Sequence, residues 1–105
     1  MKGFDPNALF NQAKKLKDEM EKVQTSLKER MVEGQSAGGL VSVVANGNQQ
    51  IEAIRINPGA VNLDDLSELE DLVLVAVRSA LDKAKELHER EMAKVTGGMS
   101  IPGIM

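Results

Sequence analysis

The stretch GGLVSVVANGNQQIEAIRI, residues 38–56, constrains this chain more than any other. It reads as two short strands rich in Val and Ile, joined by a turn. The segment Asn46-Gly47-Asn48-Gln49 is turn-forming, and Asn-Gly tolerates the positive φ that a hairpin needs. A weaker run, MVEGQ at 31–35, supplies a first strand. A two-residue loop at Asn46-Gly47 would set Val43 against Gln50 and Val41 against Glu52. A four-residue loop at 46–49 sets Val41 against Ile54 and Val44 against Ile51, and is preferred because it matches apolar with apolar. One face then carries Val41, Val43, Ile54 and Ile56, and the other Leu40, Val44, Ile51 and Ala53.

A sheet with one face in water alternates more cleanly than this. Both faces need cover, and the rest of the chain supplies two helices. The economical second cover is another copy of the chain. A homodimer is therefore expected, with an interface drawn from Leu40, Val41, Val43, Val44, Ile51 and Ile54, joined by Val73 and Val77 of the second helix.

The first helix is predicted over residues 5–30, with Asp5 as N-cap, Pro6 in its first turn and no further Gly or Pro until Gly34. Leu9, Ala13, Leu16, Met20, Val23 and Leu27 are spaced 4, 3, 4, 3 and 4. That stripe is narrow and fits one partner helix or a sheet edge better than a deep core. After Asn57-Pro58-Gly59, the run SELE at 67–70 predicts a capping box with Ser67 as N-cap, opening a second helix that reaches about Val95. Asp64, Asp65, Glu68, Glu70 and Asp71 crowd its N-terminus, where the helix dipole favours acids. Its first half, LEDLVLVAVRSAL, is apolar nearly all round and predicts burial on more than one side. Its charged second half, DKAKELHEREMAK, predicts projection beyond the sheet. Residues 1–95 thus form one domain, and the Gly/Pro/Met segment 96–105 is expected to be a disordered tail. The fold class is α+β, in the order α-β-β-β-α, with a three-stranded antiparallel sheet and two helices.

Chemistry is sparse. With no Cys, disulfides, thiolate zinc sites and cysteine nucleophiles are excluded. No apolar run is long enough to span a membrane, and the N-terminus lacks the apolar core of a signal peptide, so a cytoplasmic protein is expected. Glu52, Arg55 and Arg78 read as edge charges or ion pairs. His88 and Glu91 provide two ligands where metal sites use three or four. Gly34, Gly38 and Gly39 flank strands and read as turn or bulge positions, since no G-K-[ST] follows them. No enzyme, cofactor, metal or small-molecule substrate is expected.

What remains is charge. The chain carries −3 overall, yet residues 1–30 hold seven basic and five acidic groups, while residues 64–105 hold five and nine. Lys14, Lys15, Lys17, Lys22, Lys28 and Arg30 lie on the outer side of helix one, and Lys83, Arg90 and Lys94 share a side of helix two. The bland alternative is a solvated face laced by Lys14–Asp18, Lys15–Glu19, Lys17–Glu21 and Asp18–Lys22 pairs. Three of those four run in the weaker Lys-before-acid orientation. Two-fold symmetry would present both basic sets on projecting helices able to straddle a duplex.

The runs GQSAGGLVSVVANG (34–47), IRINP (54–58), LEDLVLVAV (69–77) and MAKVTGGM (92–99) closely resemble the YbaB/EbfC family of bacterial nucleoid-associated proteins. The resemblance covers about residues 7–99. It implies a tight, tweezer-like homodimer with protruding helices, which binds double-stranded DNA and helps to organise the nucleoid and gene expression. It implies no enzymatic activity. The family's DNA contacts lie on the protruding helices; the matching basic positions here are Lys14, Lys15, Lys17 and Lys22, with Arg90 and Lys94. The function expected is phosphate-based binding of duplex DNA. The competing expectation is a protein–protein adaptor of the recombination or replication machinery with little direct DNA binding.

Overall fold

In the computed structural model, residues 5–59 and 62–96 are described, and the tail expected over 96–105 lies, beyond Thr96, outside them. The order is α1 (Pro6–Lys28), β1 (Met31–Gln35), a short 3-10 turn (Ala37–Gly39), β2 (Val41–Asn46), β3 (Ile51–Ile56) and α2 (Leu66–Thr96). The three strands form one antiparallel sheet in the order β1-β2-β3. The α+β architecture expected from the sequence is the one observed.

Local chemistry sets the element ends. The Asp5 carboxylate accepts from the Asn7 N–H at 2.9 Å and Pro6 takes the first helical position of α1. At α2 the cap is not Ser67, as the SELE motif suggests. Asp65 takes that role: its carboxylate accepts from the Glu68 N–H at 3.1 Å, and α2 opens at Leu66. An Asx turn just before it, Asp64 N–H to Asn62 Oδ1 at 2.9 Å, sets Asp65 in place to cap.

The strand register differs from both loops considered above. Val41 pairs with Ile56, Val43 with Ile54 and Val44 with Ala53, so β3 sits two residues further along than the four-residue loop implies. A bulge after Val44 then leaves Glu52 unpaired and sets Ile51 opposite Ala45. Ile51 therefore moves to the face of Val41, Val43 and Ala45, away from the face assigned to it by strict alternation. The turn also departs from the Asn-Gly expectation. Gln49, with φ 63°, is the left-handed residue, and its N–H reaches the Asn46 carbonyl at 3.0 Å. Gly47 serves close packing instead: a Cβ there would lie 2.7 Å from Leu27 Cδ2 and 3.0 Å from the Leu27 carbonyl.

That contact joins α1 to the hairpin. Leu27 is fully buried, and the Gly47 N–H donates to the carbonyls of Leu27 and Arg30, both at 2.9 Å. The Asn48 amide adds a bond to the Gln24 carbonyl at 2.9 Å. Asn46, itself fully buried, organises the turn from within. Its Oδ1 accepts from the N–H groups of Asn48 and Gln50, and its Nδ2 donates to the side chains of Gln50 and Glu52, at 2.8–3.1 Å.

The core lies between α2 and the β1–β2 half of the sheet. Val41, Val43 and Ala45 meet Ala76, Ala80 and Ala84, all fully buried, with Val32, Leu69, Leu72, Val73 and Val77 around them. Small side chains on this side of α2 let the helix lie almost on the strand. Gly34 of β1 is the point of nearest approach and faces Ala76 and Ala80, so it is neither a turn nor a bulge residue. The other side of α2's first half is open: Leu74 and Val75 are exposed, where the sequence suggests burial on more than one side. Ile51, Ile54 and Ile56 of β3 are also exposed, since α2 stops short of that strand. The molecule measures 74 × 26 × 17 Å. Its radius of gyration is 20.3 Å, where a compact chain of this length would have about 13 Å.

Candidate nucleic-acid interface

The elongation comes from the helices. Leu27 is the buried residue of α1. Along the stripe towards the N-terminus, Val23, Met20 and Leu16 are half-buried, and Ala13 and Leu9 are exposed. Packing thus fades along α1, and its first turns stand free. This is what a narrow stripe against one neighbouring helix produces.

The free part of α1 is its basic part. From Pro6 to Lys17 there is no acidic residue, and Lys14, Lys15 and Lys17 are all exposed. Of the four helical ion pairs that would neutralise this surface, Lys17–Glu21 closes, at 4.0 Å, among the described residues. Both partners are largely solvated, a geometry that contributes little. Lys15 lies beside Leu16 in a groove that also touches Val95 of α2. Lys22 and Lys94 line a neighbouring groove with Glu19, Val23 and Glu91. The structure therefore brings Lys22 and Lys94 together across the two helices, sets Lys14, Lys15 and Lys17 further along α1, and leaves Arg90 exposed on α2.

Glu91 is the electrostatic link between the helices. Its carboxylate accepts from Lys94 at 2.9 Å and from Arg30, just past the end of α1. The Lys94 hydrogen bond, and then that of Arg30, hold the Glu91 carboxyl below the ordinary glutamate range, so it stays charged near neutral pH. Lys94 is thereby half committed to an internal partner, while its side chain remains 68% exposed. Arg30, expected among the outer-face cations of helix one, is instead a positioning residue, a role no local motif reveals because its partner lies 61 residues away. Lys83 is similarly engaged, donating to the Glu33 carbonyl at 2.8 Å.

Of the residues expected at a dimer interface, Val41 and Val43 are sealed beneath the chain's own α2, with Val73 and Val77 half-buried around them. Leu40 and Val44 are half-buried, and Ile51 and Ile54 are exposed.

An elongated helix–three-strand–helix protein, whose described concavities are open grooves along a basic helix, is the class that this fold and surface define. The comparisons with known proteins narrow the class. The model of the YbaB/EbfC DNA-binding family matches residues 1–99, and the chain belongs to that family. It is 48% identical to a nucleoid-associated protein of Caldanaerobacter subterraneus subsp. tengcongensis, over 97% of this chain and 92% of that one. It is 43% identical to a nucleoid-associated protein of Myxococcus xanthus, over 99% of both chains. The fold is also that of an uncharacterised protein of Helicobacter pylori known from its crystal structure. That match has a TM-score of 0.64 and 20% identity, over 75% of this chain and 92% of that one. The family is one of DNA-binding proteins and is not an enzyme class.

Proposed function

We propose that this protein is a homodimeric nucleoid-associated protein that grips duplex DNA through phosphate contacts from α1 and α2, helping to organise the nucleoid and gene expression in the cytoplasm. The observation that carries the reading is the acid-free stretch Pro6–Lys17, whose first turns stand clear of α2 and whose Lys14, Lys15 and Lys17 are exposed. A cationic helix standing clear of the body can approach a phosphate backbone without bringing the acidic start of α2 with it. The names of its relatives agree with this. The exposed Ile51, Ile54 and Ile56 support pairing of two copies, since apolar strand side chains left in water are a strong incentive to associate. Pairing would also double the cationic helices.

Gel-shift assays at two or more salt concentrations test the phosphate mechanism. Binding should fall steeply, with a log–log slope of about −0.9 per phosphate neutralised. Replacing Lys14, Lys15 and Lys17 together by Ala should weaken binding to all sequences alike and flatten the slope by about one for each phosphate left without its lysine. Salt-independent retention would overturn the mechanism. Sedimentation at micromolar concentration should give a species of about twice the 11.4 kDa chain mass; an 11.4 kDa species alone would overturn the dimer.

A further inference from the structure

We infer that the free end of α1 reads A·T base pairs in the major groove, with Phe10 and the carboxamides of Asn7 and Asn11 as the base-contacting groups. The inference rests on the DNA-binding reading above and adds to it a source of sequence preference. Phe10 is 69% exposed and lies off the stripe that packs towards α2. On a helix, residues three and four apart are neighbours. Asn7 and Lys14 are therefore the residues above and below the Phe10 ring, Asn11 adjoins both Asn7 and Lys14, and Lys17 continues the same side. The exposed tip presents amide, phenyl ring, amide and cation on one continuous surface.

Helix stability does not account for this composition. Phe and Asn are both weak helix formers, and an exposed phenyl forgoes the stabilisation that burial would bring. The chain has two aromatic residues in all. The set does match one ligand. The major groove is wide enough to admit a helix. Adenine shows an acceptor at N7 and a donor at N6, which a carboxamide meets with its own donor and acceptor. Thymine shows a methyl group, which an apolar ring meets. Lys14 and Lys17 on the same side can hold the flanking phosphates and fix the register.

The test uses the full chain and two duplexes of the same A·T-rich sequence, one with every thymine replaced by deoxyuridine. The replacement removes the methyl groups and leaves charge and pairing unchanged. Wild-type protein should bind the thymine duplex more tightly, by about five-fold or more. Phe10→Ala should bind the two equally and keep the wild-type salt slope, because its lysines are untouched. Asn7→Ala/Asn11→Ala should lose the preference for A·T-rich over G·C-rich duplexes. All these positions are exposed, so unchanged thermal melting curves should accompany the variants. Equal binding of both duplexes by the wild type, or the same methyl response in Phe10→Ala, would overturn the inference while leaving phosphate binding intact. Absence of any salt-sensitive binding by the wild type would overturn the DNA reading, and the inference with it.

Discussion

Replacing Gly34 by Ala is expected to remove most of the protein's stability. The added Cβ would meet the Ala76 carbonyl oxygen at 2.6 Å and Ala80 Cα at 2.7 Å, and would lie closer still to the Ala80 amide nitrogen. All three are main-chain atoms of α2, so no side chain can rotate aside. The helix must lift from β1, and the seam of Val41, Val43, Ala45, Ala76, Ala80 and Ala84 opens with it. Overpacking in a core costs about 1–3 kcal/mol where side chains can adjust; here, with backbone on both sides, a loss above about 3 kcal/mol is expected. Against a total of about 5–15 kcal/mol for a typical domain, that approaches unfolding. Urea or thermal denaturation measures it. Gly38→Ala is the control: nothing lies within 4 Å of its added Cβ, and its φ of +72° limits the loss to about 1 kcal/mol. Equal losses for the two variants would refute the steric account.

The second large effect is expected at Asn46. Its side chain is fully buried and makes four hydrogen bonds, two accepted from main-chain N–H groups and two donated to Gln50 and Glu52. Asn46→Ala leaves the N–H groups of Asn48 and Gln50 without their acceptor inside the turn. At about 1–3 kcal/mol for each orphaned group the range is about 2–6 kcal/mol, and because both groups are part-buried the combined loss should fall in its lower half. Asn46→Asp preserves both acceptors but turns a carboxylate towards Glu52 in place of the amide donor. It should therefore fail to restore stability at neutral pH. A melting temperature for Asn46→Asp equal to the wild type's would show that the donated bonds carry no weight.

How far the sequence reveals this molecule depends on the range of each interaction. Asp5-Pro6, the three strands and the break at Asn57-Pro58-Gly59 all act within a few residues, and each can be read directly. Asp65 displaces Ser67 as the cap because the preceding Asx turn orients it, although both residues suit the role. The hairpin register escapes a reading by polarity because several registers match apolar with apolar. What separates them is the bulge at Glu52, held by a bond from Asn46. The lysines of α1 are legible as a pattern. Which of them find a neutralising partner is not, since that depends on which ion pairs close: among the described residues Lys17–Glu21 does. The tasks of Gly34 and Arg30 depend on α2, 42 and 61 residues away, beyond the reach of any local motif.

The joint between Leu27 and Gly47 makes α1 a cantilever, clamped at its root and free at its end. Half-buried Val23, Met20 and Leu16 tie α1 to α2 along the way, so α1 moves with the part of α2 beside it. From Leu27 to Phe10 the beam is about 26 Å long, and a tilt of about 10° of that pair at the clamp swings the tip by about 4–5 Å. That is comparable to the spacing of neighbouring base pairs. On the DNA-binding reading proposed above, changes at Asn48, whose amide bonds to Gln24 of α1, would shift where the lysines land without touching a cationic residue, the buried Asn46 or the close-packed Gly47.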